Sequence, residues 1–350
     1  FRRLDLDTVS AGDSHLRNVV FEVTDQQIDV TVGGGVFDAA PLMKRDTVET
    51  GRSPGSSKPT TDGAPQPQDR NLHIQINELD KVLFAEDRQL ERIKADLTRG
   101  AAGWEAISIS AQVPYSRDSS LLEPTDTHVP GVDHMSVVYG PATDGQYPLQ
   151  VDVDDLGSVL RALALFENLT GGRLTIAGES EGPLPGGPLK GTLSLDRFSV
   201  KNLPALAQIL NAASLDQLFS SLKGNGLQFK SFHGDFEFSE GVVKSDLFRA
   251  YGGSVGLTLK GEVDTGDRNL KLSGVVVPLY RISKVLDRIP VLNKILVGGK
   301  GEGLIAMNYS VEGPFENPQT SVQPGSLLTP GFLRSLVSKG ENQLGSDGTE

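Results

Sequence analysis

The chain has 350 residues, with 33 Lys and Arg against 45 Asp and Glu and a formal net charge of −12. Phosphate backbones are held by clustered cations, so this balance argues against a nucleic-acid partner. There is no cysteine, which excludes a thiol nucleophile, a disulfide framework and a thiolate metal site.

At 37% hydrophobic the chain can bury a core, and 40 Gly with 20 Pro predict many turns and short strands, hence a mainly β protein. The opening FRRLDLDTVS has no initiating Met and no apolar signal core, and it already alternates. It reads as part of a longer polypeptide. The sequence has no run of about 18 apolar residues of the kind a membrane-spanning helix needs.

Taken in order, Leu4 and Leu6, then Ile28, Val30 and Val32, alternate with polar residues and predict strands over residues 1–46. Residues 47–70 are crowded with Ser, Thr, Gly and Pro and predict a disordered loop, because they cannot bury enough to offset the entropy of ordering. Over 71–146 the alternation returns at Leu72, Ile74 and Ile76 and again at Ile107, Ile109, Ala111 and Val113. A second polar loop covers roughly 114–131, and MSVVYG and YPLQVDV add two strands. Near Asp154 or Asp155 the period changes: Leu156, Val159, Leu160 and Leu163 predict a helix to about Phe166 behind an acidic cap.

From 173, RLTIAGES and GTLSLDRFSV predict a strand pair, followed by a helical pair in NLPALAQILNAASLDQLFSSLKGNG. Asn202 and Ser214 are its expected caps and Gly224 its expected stop. Five runs follow, LQFKSF, GDFEFSE, VVKSDLFRAY, SVGLTLKGEV and NLKLSGVVVP, and predict a meander of antiparallel hairpins. Residues 281–297 read as helical with a break at Pro290. In GEGLIAMNYSVEG, Ile305, Met307, Tyr309 and Val311 share one side of a strand. Pro314 and Pro318 then bracket a turn, and Pro324 suits a sheet edge. Pro330 opens a terminal helix with Phe332, Leu333, Leu336 and Val337 on one side, before a disordered tail at 341–350.

Motifs for covalent chemistry find no supporting context. The five histidines form no HExxH, and the GxSxG strings at 51–55, 178–182 and 252–256 lead into no helical pattern, so no serine reads as a nucleophile elbow. Gly33, Gly34 and Gly35 predict a turn or bulge, and GGKGEG precedes a strand where a Walker loop precedes a helix. Asp152, Asp154 and Asp155 are explained by a helix start. The expectation is a protein that is not an enzyme and uses no metal or cofactor. The one-sided strands fit either two faces covering each other in a sandwich or a single curved sheet with an apolar trough.

The segment VVVPLYRISKVLDRIPVLNKILVGGKGEGLIAMNYSVEGPFENPQTSVQPGSLLTPGFLRSL resembles the C-terminal region of the AsmA-like family of Gram-negative envelope proteins. The resemblance rests on the strand ending in VVP, the IPVL break, GGKGEGL, GPFENPQ and the closing LTPGFLR. It covers roughly 147–336, with GGRLTIAG and the 190–275 meander included, and is fainter over 1–113. It implies an elongated, curved antiparallel sheet forming a U-shaped, taco-like groove with a few short amphipathic helices and capping helices over 147–340. It further implies a periplasmic segment, held at the inner membrane by an N-terminal helix, that supports outer-membrane lipid homeostasis as a bridge-like lipid transfer protein. The partners expected are phospholipid, the inner- or outer-membrane surface and envelope proteins.

On that reading alternation names the groove lining. In the first half it comprises Leu174, Ile176, Leu193 and Leu195, followed by Leu227, Phe229, Phe236 and Phe238. The later strands add Val255, Leu257, Leu259, Leu270 and Leu272, and the last alternating strand adds Ile305, Met307, Tyr309 and Val311. One extra residue would invert any of these assignments. Arg281, Lys284, Arg288 and Lys294 make 281–300 locally basic and are candidates for contact with anionic headgroups. The competing expectation is a non-enzymatic scaffold or assembly factor for outer-membrane proteins, with an ordinary closed β core.

Overall fold

The computed structural model describes residues 2–43, 70–114, 132–278, 306–315 and 317–324. Among them lie seventeen strands and four helices, so the chain is mainly β as its composition predicts. It divides into two compact units, Phe1–Leu189 and Lys190–Glu350. The helix expected at 281–297, Ile305, the terminal helix and tail, and nearly all of the 47–70 and 114–131 loops lie outside the described residues.

The first unit begins with β1 (Arg3–Ala11), β2 (Ser14–Val23), β3 (Gln27–Asp38) and the short α1 (Ala40–Met43). Next come β4 (Asn71–Ala85), β5 (Arg88–Gly100), β6 (Gly103–Pro114), β7 (Val132–Tyr139) and β8 (Tyr147–Val153). It ends with α2 (Leu156–Ala162), β9 (Leu169–Ser180) and the two-residue β10 (Leu184–Pro185). Strands β1 to β9 pair in chain order, and β10 adds to the start of β6.

One pair corrects the expected all-antiparallel sheet: β3 and β4 run parallel, Gln27 beside Asn71 and Val32 beside Ile76. A parallel pair needs a crossover of a dozen or more residues, and the polar stretch between Met43 and Arg70 has that length. Of the turn or bulge expected at Gly33–Gly35, the structure has the bulge. It lies inside β3, where Gly35 has a φ of +117° and a Cβ would meet the His15 carbonyl oxygen at 2.1 Å. Only glycine fits there, and the β3–β4 register shifts immediately after it.

Helix α2 starts where the acidic run predicts. Asp155 accepts the Ser158 backbone N–H at one carboxylate oxygen and the Ser158 hydroxyl at the other, both at 2.9 Å. This satisfies one of the orphan donors at the helix start. The helix stops at Ala162, short of Phe166, because Ala164 turns left-handed at a φ of +57°.

The second unit takes up β11 (Leu189–Val200) and continues with α3 (Pro204–Ala212) and α4 (Asp216–Lys223). An antiparallel meander follows: β12 (Leu227–Ser239), β13 (Val242–Tyr251), β14 (Val255–Asp264), β15 (Asn269–Pro278), β16 (Met307–Pro314) and β17 (Gln319–Pro324). The expected five runs before β16 are four strands. LQFKSF and GDFEFSE join in β12 because Gly234 sits opposite Phe248, where a Cβ would lie 2.6 Å from the ring. That glycine makes room for an aromatic and does not break the strand.

The predicted helix caps also need correction. The N-cap positions are Leu203 and Leu215, neither giving a side-chain hydrogen bond, while Asn202 and Ser214 stand one residue earlier in left-handed conformations. Pro204 sets the first helical φ of α3, which moves its start past Asn202. Gly224 does end α4, with Gly226 supplying the positive φ. Pro314 and Pro318 bracket a turn closed by the Asn317 N–H donating to the Pro314 carbonyl at 3.1 Å.

Candidate functional site

In the first unit, strand register carries one apolar row across the whole sheet. Val32 faces Val19 on one side and Ile76 on the other, and Val19 faces Leu6. Ile76 faces Ala95, and Ala95 faces Ile109. The row runs on through Val137 and Val151 to Ile176. The neighbouring row of the opposite parity holds Thr31, Gln75, Asp96 and Ser108 in direct register. Successive residues point to opposite faces, so this sheet has one apolar face and one mostly polar face, the latter interrupted by Val20 and the exposed Val138.

On the polar face His73 of β4 ties its neighbours together. Its Nδ1 lies 3.2 Å from Asp29 on β3 and its Nε2 lies 3.2 Å from Asp96 on β5. The parallel pair is thereby bridged by side chains as well as by its ladder.

The apolar face is covered unevenly. Helix α2 packs on β5, β6 and β9, and at that end Val113, Val153 and Leu174 are buried. Away from it Ile109, Val137, Val151 and Ile176 are only half-buried. Leu174 and Ile176, both expected lining residues, thus mark the covered and uncovered parts of a single face. Near the β10 end, the Tyr139 hydroxyl donates to the Gly182 carbonyl at 2.6 Å, and burial pushes its phenol pKa up.

The second unit repeats the plan. Leu272 faces Gly261 and Val311, and Leu270 faces Val263 and Gly313. Nearer the helices Leu257 lies between Ala250 and Val276, and Val276 faces Met307. The other face carries a ladder of alternating charge, Glu237, Lys244, Glu262, Lys271 and Glu312 in direct register, with Lys244 and Glu262 paired at 3.4 Å. Solvent-facing pairs of this kind add little stability, and their order marks the wet side.

Three irregularities decide which residues join the apolar face. In β11, Arg197 has a φ of +52°, so Phe198 and Val200 come to line the same cavity as Leu195 despite the change of parity. In β12, Ser231 is opposite Tyr251, whereas a Cβ on Gly252 would lie 2.0 Å from the Gln228 carbonyl and 3.3 Å from the Phe229 Cα. Gly252 therefore stands opposite Phe229, and Lys230 is the extra residue. Phe229 thus shares the side of Phe232 and, further on, of Phe236 and Phe238. In β13 both ladders shift between Ser245 and Phe248, which puts Val243 and Phe248 on one side.

These features line an apolar cavity of about 240 Å³ that is open on one side. Leu203, at the N-cap of α3, and Leu206 within it form the roof, and Leu195, Phe198, Phe229 and Phe232 form one wall. Phe198 stacks on Phe229 with ring centroids 5.1 Å apart, and Phe232 on Phe248 at 4.7 Å. Ala250, Leu257, Leu259 and Tyr309 complete the floor.

Tyr309 crosses Gly274 and donates its hydroxyl to the Thr258 carbonyl at 2.6 Å, while the Thr258 hydroxyl accepts the Val275 N–H at 3.0 Å. Burial pushes the Tyr309 phenol pKa well up, so the ring stays a neutral donor. Tyr309→Phe leaves that buried carbonyl unpaired, and a loss of about 1–3 kcal/mol is expected in urea unfolding.

Of the expected lining, Leu195, Leu227, Phe229, Val255, Met307, Tyr309 and Val311 are buried, while Leu193, Phe236, Phe238, Leu257, Leu259, Leu270 and Leu272 are half-buried. Alternation alone did not single out Phe198, Val200, Phe232, Ala250 or the α3 leucines as lining. In the first unit the alternating runs at 72–76 and 107–113 place Ile76 and Ile109 on the same apolar face. Arg281, Lys284, Arg288 and Lys294 lie outside the described residues. Among the described residues no three His, Asp or Glu side chains gather as a metal site, and no helix is long and apolar enough to cross a membrane. No family model, curated protein or solved structure matches the chain.

Proposed function

We propose that the protein carries the acyl chains of phospholipids along the apolar faces of its sheets, without covalent chemistry. It would act as a periplasmic segment of an AsmA-like protein anchored in the inner membrane, supporting lipid homeostasis of the outer membrane. The observation that carries this reading is the unbroken apolar row from Leu6 to Ile176, buried at Val19, Val32 and Ala95 but left half-buried at Ile76 and from Ile109 to Ile176, although the reverse face is mostly polar. An extended apolar surface of this kind normally marks a binding site. Each methylene laid against it gains about 0.8 kcal/mol, so a long chain is held well without any polar anchor. The likeness of 147–336 to the AsmA-like C-terminal region supports the same assignment.

The expected result is phospholipid in the organic extract of protein purified without detergent, detected by mass spectrometry. Extracts free of lipid, together with no uptake of labelled phospholipid from vesicles, would overturn the reading. A scaffold with an ordinary closed core is the second reading, and complete burial of Val255, Val276 and Leu210 at the helix end of the second unit favours it.

A further inference from the structure

We propose that the cavity beneath α3 receives the methyl end of one linear hydrocarbon chain and leaves the polar end of that chain outside; this rests on the lipid-carrying reading above. Its size, about 240 Å³, exceeds the roughly 150 Å³ of an apolar cavity that takes benzene and falls below the roughly 300 Å³ at which drug-sized pockets begin. One chain segment fits, and two side by side do not.

The polar groups point to the same occupant. Thr258 is the one polar side chain among the described lining residues other than the Tyr309 hydroxyl. Its hydroxyl is engaged by the Val275 N–H, and its carbonyl by Tyr309. A headgroup entering here would give up its hydration with no hydrogen bonds in exchange, whereas a terminal methyl gives up nothing.

Position supplies the direction. Half-buried Leu270 and Leu272 lie on the same face as the floor residue Leu257, and exposure falls toward Val255 and Val276, which are fully buried. A chain laid on the open part of the face therefore runs under α3 and stops at the aromatic wall. The cavity is open on one side, so entry needs no rearrangement of the roof. Helix α3 has no side-chain hydrogen bond at its N-cap and packs on α4 and β17.

The test uses the full chain and photoreactive lipids, with the labelled peptides mapped by mass spectrometry. A fatty acid carrying a diazirine at its methyl end is expected to label residues 195–206 and 250–259 at least tenfold more than one carrying it beside the carboxylate. A phospholipid with the same methyl-end group tells the sources apart: labelling by both molecules assigns the pocket to chains of either origin, and labelling by the fatty acid alone assigns it to free acids. Ala250→Trp fills the cavity and is expected to remove this labelling while sparing that of the Ile76–Val137 face in the first unit. If circular dichroism shows that variant unfolded, Leu259→Phe makes the same test with a smaller change. Equal labelling by both fatty acids, or labelling that survives the filling, overturns the pocket. Labelling confined to the first unit overturns it while the lipid reading stands, and no labelling anywhere defeats both.

Discussion

Replacing Val255 by Asp is expected to unfold the second unit, while Leu270→Asp on the same face leaves it folded. Val255 is fully buried and Leu270 half-buried, so the substitutions differ in whether water can reach the carboxylate. At Val255 the choice is between a desolvated charge and a protonated acid without partners, at a cost on the order of 4 kcal/mol or more. That is a large share of the roughly 5–15 kcal/mol that a domain has to lose. At Leu270 the loss is a fraction of one side chain's burial, about 1 kcal/mol. Urea unfolding followed by circular dichroism checks the stabilities.

Lipid occupancy then separates the two functional readings. In an open groove, Leu270→Asp interrupts the surface on which a chain lies. Losing contact with about two methylenes costs about 1.6 kcal/mol, or roughly a tenfold fall in bound phospholipid. If Leu270→Asp unfolds the unit as thoroughly as Val255→Asp, the face is ordinary core and the scaffold reading gains.

How much of this was legible in the sequence depended on whether local pattern or backbone irregularity decided the outcome. Strict alternation at Leu72, Ile74 and Ile76, or at Met307, Tyr309 and Val311, gave both the strands and their facing, because side chains in an uninterrupted strand have no other option. Asp155 was legible as a cap because the chemistry of capping is local. The bulges were not: a positive φ at Arg197 or an extra residue at Lys230 leaves no compositional mark, yet each moves every later side chain to the other face. Phe198 and Val200 were therefore missed, and Phe229 reached the face of Phe236 only because Lys230 is skipped. The parallel pairing of β3 with β4 was hidden for a different reason. Register between strands separated by a long polar stretch is set by the sheet as a whole, and Asp29, His73 and Asp96 become neighbours only after it forms.

Gly274→Val is expected to be about as damaging as Val255→Asp, through sterics alone. A Cβ at this position would lie 1.8 Å from the Thr258 carbonyl oxygen and 2.8 Å from the Tyr309 hydroxyl. Backbone is the nearer obstacle and cannot swing aside as a side chain can. Either β14 and β15 separate, or Tyr309 leaves the face and gives up its hydrogen bond. Overpacking costs about 1–3 kcal/mol and the stranded carbonyl about 1–3 kcal/mol more. Gly253→Ala, where no atom lies within 4 Å of the added carbon, is the control and should change stability by no more than about 0.5 kcal/mol. The decisive measurement is the cycle with Tyr309→Phe. If Gly274 exists to let the tyrosine cross to Thr258, the phenylalanine variant has already lost that bond. The double variant should then fall short of the sum of the single losses by at least about 0.5 kcal/mol. Strict additivity would mean that the glycine serves only the spacing of the two strands, and the floor of the cavity would owe nothing to the Tyr309–Thr258 bond.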